Sequence, residues 1–160
     1  MTPEPPAGPF VLDVSLWLPA APERVFPYFA DAVNLERLTP PWLHFRIANT
    51  EPIVMRVGTF IDYRLRLHGI PLRWRTCITE WDPPRAFVDE QIRGPYRLWR
   101  HRHTFTAENG GTRCDDHVDY DMAFGVVADR LLVRRDLARI FDFRRQVLLW
   151  EFVDEQRSPA

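Results

Sequence analysis

The sequence has no lysine, so all 21 of its permanently basic residues are arginine. They are balanced by 22 Asp and Glu residues, which leaves a formal charge of −1. This charge lacks the basic excess by which proteins bind nucleic acids or acidic membrane surfaces, so we expect neither partner. The neighbouring arginines Arg134-Arg135 and Arg144-Arg145 are interpreted as solvated helix faces.

Cysteine is also scarce, since Cys77 and Cys114 are the only two and neither has the spacing of a metal site. Reduced, buried thiols fit a cytoplasmic location, which we therefore expect. No apolar run approaches the roughly 18 residues needed to cross a membrane, and the first ten residues lack the regions of a signal peptide. Four of those ten are proline, so residues 1–9 are predicted to be a flexible arm before one domain at 10–156.

Most of the chain alternates apolar and polar residues with the period of a β-strand. After a first strand at 10–18, a short helix begins near Pro22 and is expected to kink or end at Pro27. A second short helix is predicted at 32–38. Beyond Trp42 the alternation continues through six further segments: 44–49, 58–68, 72–81, 86–93, 97–108 and 112–124. Residues 129–155 lack Gly and Pro and repeat apolar residues every three or four positions, which predicts one long amphipathic helix.

The short links between the strands predict hairpins. The fold class is therefore expected to be α+β, with a curved seven-stranded antiparallel sheet wrapped around the C-terminal helix. If Asn109-Gly110 is a two-residue turn, His103 lies opposite Asp116 on the neighbouring strand. A loop at 94–96 would similarly place Asp89 opposite His101 and Gln91 opposite Trp99.

The stretch RLWRHRHTF, residues 97–105, places two histidines on the same strand face as Trp99 and Phe105. Arginines occupy the opposite face, which must be solvated because unpaired buried charge is costly. A dry core would not select two imidazoles, whereas a pocket with apolar walls and a few converging polar groups accommodates them. We therefore predict a ligand pocket between the sheet and the helix.

Three segments resemble the ligand-binding branch of the START-like (SRPBCC, polyketide cyclase/dehydrase-related) superfamily: GTFIDYRLRLHGIPLRW, WDPPRAFVDEQIRGPYRLWRHRHTF and GTRCDDHVDYDMAFG. The segment LERLTPPWLHFRI is similar to the same group. This resemblance implies a helix-grip fold with an internal cavity for a small apolar or aromatic molecule. It supplies no catalytic motif, so whether the protein is an enzyme stays open.

The predicted function is intracellular binding of a small hydrophobic or aromatic ligand, and the alternative is a cyclase or dehydratase acting on a polyketide-like or other cyclic substrate. In that alternative His103 acts as an acid or base oriented by Asp116. A metal on His101 and His103 would need a third ligand from Asp89 or Asp116, and no third histidine, Cys or Glu lies at a matching position, so no metal and no other cofactor is expected. The predicted ligand-binding residues are Tyr63, Leu65, Trp74, Thr76, Ile78, Asp89, Gln91, Trp99, His101, His103, Asp116, Tyr120, Ile140 and Phe141.

Overall fold

A computed structural model describes residues 10–123, 125–128 and 132–154. Its strands are β1 (Phe10–Leu18), β2 (Arg46–Ile47), β3 (Phe60–Leu67), β4 (Ile70–Asp82), β5 (Ala86–Arg93), β6 (Leu98–Glu108) and β7 (Gly111–Asp121). The helices are α1 (Pro22–Ala30), α2 (Asn34–Leu38), α3 (Gly125–Ala128) and α4 (Arg134–Leu149). The seven strands form one sheet in the order β1-β7-β6-β5-β4-β3-β2, and every pair of neighbours is antiparallel. The predicted fold class is confirmed.

Two tight hairpins fix the strand register. Asn109 and Gly110 both have positive φ angles, 51° and 74°, as the two-residue turn that matches strand twist requires. The turn sets His103 opposite Asp116, as predicted. His68 and Gly69 form an equivalent turn, with φ angles of 50° and 79°. Because that turn is only two residues long, β4 begins two residues before the predicted strand at 72–81.

The predicted strand at 44–49 is much shorter in the structure, where β2 has only two residues. His44 adopts a left-handed conformation and cannot continue an extended strand. The side chain of Asn49 takes the place of the backbone ladder, since it donates to the carbonyl of Phe60 and accepts from the backbone N–H of Asp62, at 3.1 and 2.8 Å. The sheet edge is therefore completed by a side chain.

The predicted C-terminal helix at 129–155 is present as α4, which continues into π-helical turns at Trp150–Asp154. Residues 129–131 and 155 lie outside the described part of the chain. The predicted strand at 112–124 ends at Asp121, and its position 124 is likewise not described. Pro27 does not end α1, which runs on to Ala30 because Phe26 and Phe29 pack against Phe105 of the sheet. Among the described residues, no helix is both long and apolar enough to cross a membrane.

The inner face of the sheet carries three apolar clusters, of which the third contains Ile61 of β3 and Ile78 of β4. At one end, Val118 and Tyr120 pack with Leu137 and Phe141 of α4. At the other, Leu148 joins the cluster formed by α1, β1 and the strands from β5 to β7. Irregular pairing between β4 and β5 bends the sheet. The middle of α4 thus spans a stretch of sheet that neither of these two end clusters fills.

Candidate functional site

A cavity of about 180 Å³ lies between the inner face of the sheet and α4. Aromatic rings dominate one part of its wall. The ring of Trp74 stacks on that of Tyr63 at 5.6 Å between centroids and meets that of Trp99 edge-on at 5.6 Å. A hydrogen bond of 3.1 Å from Nε1 of Trp74 to Oγ1 of Thr76 fixes the indole. These flat, rigid walls suit a planar apolar ligand.

The opposite part of the cavity wall is polar. Four buried or partly buried residues form what we call the histidine–carboxylate cluster: Asp89 on β5, His101 and His103 on β6, and Asp116 on β7. The two imidazole rings lie 3.8 Å apart between centroids. Phe87 stacks on His103 from the other side, at 4.2 Å. Successive inward positions of three neighbouring strands therefore converge on one point.

Each imidazole lies between the two carboxylates. His101 Nε2 is hydrogen-bonded to Asp116 Oδ1 at 2.9 Å, and His103 Nε2 is hydrogen-bonded to Asp89 Oδ2 at 3.0 Å. The remaining nitrogens are also close: His101 Nδ1 is 3.8 Å from Asp89 Oδ2, and His103 Nδ1 is 2.8 Å from Asp116 Oδ1. The last contact has the distance but not the orientation of a hydrogen bond, so we treat it as electrostatic.

Burial and charge act in opposite directions on this cluster. Burial raises the pKa of Asp116, but the charge of Arg144 and the contacts with both histidines outweigh it and hold that pKa well below its usual range. Burial lowers the pKa of His103, yet its contacts with Asp116 and Asp89 leave it above the ordinary value. The pKa of His101 is lowered, because burial and the neighbouring His103 outweigh the carboxylates. The two imidazoles therefore differ in proton affinity.

The interpretation of Arg144 as part of a solvated helix face is wrong. This arginine is partly buried and lines the cavity, whereas Arg145 is exposed as expected for a solvated helix face. The guanidinium lies 5.1 Å from the centre of the Phe29 ring, and its Nε is buried without a hydrogen-bond partner among the described residues. Its charge also lowers the pKa of Asp89, although burial and the histidine contacts have larger effects. The guanidinium thus brings a positive charge to the cavity wall, while its Nε is covered by neighbouring atoms.

Eleven of the fourteen predicted site residues line this cavity: Tyr63, Leu65, Trp74, Thr76, Ile78, Asp89, Trp99, His101, His103, Ile140 and Phe141. The other three lie elsewhere. Asp116 is behind the imidazoles, and Tyr120 is buried beneath Phe10 and Tyr96. Gln91 hydrogen-bonds the backbone of Tyr96 through both atoms of its amide, which holds the β5–β6 loop in place.

Sequence reasoning missed part of the wall. Residues from α1, α2 and the loops have no strand alternation to identify them, and they include Phe29, Leu35, Leu43, Phe45, Met55 and Tyr96. Arg144 did carry a signal. It follows Leu137 and Phe141 at helical spacing and precedes Leu148, so it lies on the buried face of α4.

A second depression adjoins the cavity and shares Leu43, Leu67 and Ile140 with it. It lies where the β3–β4 turn approaches α4. There His68 Nε2 contacts Asp136 Oδ2 at 2.7 Å. We call this contact the mouth pair, since it joins the hairpin tip to the helix beside the cavity.

The chain matches the model of a protein family described as polyketide cyclase/dehydrase and lipid transport, over residues 18–148. No curated protein is similar enough to count as a match. Among solved structures, protein Ms6760 from Mycobacterium smegmatis is 20% identical, with coverage of 86% of this chain and 87% of that one and a TM-score of 0.65.

Two further structures show the same fold. TTHA0849 from Thermus thermophilus is 20% identical over 88% of this chain and 97% of that one, with a TM-score of 0.65. Ginseng major latex-like protein 151 from Panax ginseng is only 9% identical over 90% of this chain and 97% of that one, with a TM-score of 0.66. At such identities the likeness establishes the architecture, and the chemistry has to be argued from the site.

Proposed function

Because this chain belongs to the polyketide cyclase/dehydrase and lipid transport family, within the START-like superfamily of helix-grip proteins, we propose that it binds a small aromatic or apolar molecule in the cavity under α4. The observation that supports this most directly is the pairing of an aromatic wall, formed by Tyr63, Trp74 and Trp99, with a polar end at His101 and His103. A ligand ring stacks on the first, and a polar group points to the second.

The cavity volume limits the size of the ligand. At about 180 Å³ it is close to the roughly 150 Å³ of an engineered cavity that binds benzene, and below the roughly 300 Å³ at which sites for larger ligands begin. One aromatic ring with a short substituent fits these dimensions. The imidazoles of His101 and His103 at the polar end favour a substituent that carries an oxygen, such as a carbonyl.

Binding is tested with acetophenone, a single ring that carries a carbonyl, by calorimetry and by the fluorescence of the wall tryptophans. Leu65→Trp fills the cavity from β3 and should weaken acetophenone binding at least tenfold. Arg64→Trp places the same indole on the exposed face of the same strand and is the matched control. Equal binding by the wild type and both variants would contradict the proposal.

A second candidate, acid–base catalysis on the bound molecule, is favoured by one observation. His103 lines the cavity, contacts two carboxylates and has a raised pKa, although burial lowers it. The test uses whatever compound native mass spectrometry and organic extraction recover from freshly purified protein. A pure binding protein returns that compound unchanged and keeps its affinity within a few-fold in His103→Asn. An enzyme converts it, and His103→Asn loses turnover but still binds.

A further inference from the structure

We propose that the histidine–carboxylate cluster is a binding site for a divalent first-row transition metal ion, with Asp89, His101 and His103 as ligands. One possible ligand atom from each of these residues lies within 4.8 Å of the other two. Two neutral imidazoles and a carboxylate are a donor set that suits zinc and iron(II). No metal was expected from the sequence, which left Asp89 and Asp116 as the candidates for a third ligand, and the structure places Asp89 Oδ2 3.0 Å from His103 Nε2.

The distances fit an ion of this class. A tetrahedral zinc ion with bonds of about 2.1 Å holds its ligand atoms about 3.4 Å apart. Asp89 Oδ2 lies 3.0 Å from His103 Nε2 and 3.8 Å from His101 Nδ1, on either side of that value. Two of the three distances between ligand atoms are therefore already close to those around a bound ion.

Asp116 has the position of an outer carboxylate that orients metal-binding histidines. Its Oδ1 is hydrogen-bonded to His101 Nε2 at 2.9 Å and is in electrostatic contact with His103 Nδ1 at 2.8 Å. These are the two ring nitrogens that do not make the closer contact with Asp89. Histidines that bind metals usually direct their second nitrogen to such a group, which fixes the tautomer and the ring orientation. One carboxylate serving both rings explains why a buried aspartate lies behind them.

The site would keep open coordination positions on its cavity side. Asp89, His101 and His103 all line the cavity, whereas Asp116 does not. A bound ion would face the space proposed for the ligand, and an oxygen of that ligand could complete its coordination. Charge balance agrees with this: a divalent ion, Asp89, Asp116 and Arg144 sum to one positive charge when both imidazoles are neutral, so an anionic oxygen ligand is favoured.

This inference shares the cavity of the proposed function, but metal binding by ligand-free protein is measured separately. Protein stripped with a chelator is titrated with Zn²⁺ by calorimetry. We expect one ion per chain, binding at least 50-fold weaker in Asp89→Asn and roughly 10- to 100-fold weaker in Asp116→Asn. His117→Asn is the matched control, because that histidine lies on the outer face beside Asp13 and should leave the affinity unchanged.

A second measurement needs no variant. Co²⁺ bound to wild-type protein should give visible absorption bands and shifted proton signals from two imidazole rings. Three results would overturn the metal site. They are the absence of 1:1 Zn²⁺ binding by the wild type, equal Zn²⁺ affinities in the wild type and Asp89→Asn, and a loss of affinity in His117→Asn equal to that in Asp89→Asn. Acetophenone binding by metal-free protein in the same samples would leave the proposed function intact.

Discussion

The sharpest test of the cluster's role in stability is Asp116→Asn, because this substitution removes a charge and hardly changes the size of the side chain. Asp116 is 8% exposed and accepts a hydrogen bond from His101. Removing one partner of a buried ionic contact costs about 3–5 kcal/mol. No cavity is created, so we expect a loss near 3 kcal/mol. At an m-value of about 2 kcal/mol/M, this lowers the urea midpoint by about 1.5 M.

The assay is urea unfolding followed by circular dichroism, in the presence of a chelator so that metal binding does not contribute. Asp115→Asn is the matched control, since it makes the same substitution one residue earlier and on the outer face. Asp115 contacts Ser15 and Arg113 at an exposed position, so its replacement should cost at most about 1 kcal/mol. A midpoint for Asp116→Asn within 0.3 M of the wild type (roughly 0.6 kcal/mol at that m-value), or equal losses in the two variants, would refute the reasoning.

Two further predictions concern other buried groups. Burial raises the pKa of the Cys114 thiol to about 12, with smaller contributions from Asp116 and Asp115. Iodoacetamide at pH 8 should therefore label the partly buried Cys77 alone in folded protein and both thiols after unfolding, as read by peptide mass spectrometry; rapid labelling of Cys114 in the folded state would contradict this. Phe141→Ala should cost about 3 kcal/mol in urea unfolding and enlarge the cavity, so that a two-ring ligand such as 2-acetylnaphthalene binds more tightly than in the wild type; unchanged binding would argue against α4 as the cavity wall.

The strand register was predictable because it depends on local chemistry. Asn109-Gly110 favours a turn with two positive φ angles, and once that turn is fixed, pairing places His103 opposite Asp116 without further information. The face of each strand followed from the arginines, which lie on the outer face and are exposed or, like Arg100, paired with carboxylates there. Local rules thus sufficed for the sheet and for one side of the candidate site.

The parts of the site and of the sheet edge that the sequence did not predict depend on contacts between residues that are distant along the chain. The spacing of Arg144 indicates the buried face of α4, but a helical pattern cannot reveal the carboxylates of β5 and β7 on which its charge acts. The alternation along β5 predicted that Gln91 points into the cavity. Its amide instead hydrogen-bonds the backbone of Tyr96 in the loop that follows. The predicted strand at 44–49 was too long for a related reason, since the Asn49 side chain makes hydrogen bonds to β3 that the backbone would otherwise make.

The mouth pair has a consequence for how fast a ligand can exchange. His68 is half exposed, and exposed ionic contacts of this kind stabilise a structure by less than about 1 kcal/mol. Breaking this one contact is therefore inexpensive, while the walls farther in belong to a tightly paired sheet. For a ligand that passes the mouth pair, both selectivity and residence time would depend on the contacts inside the cavity, because the mouth pair itself contributes little.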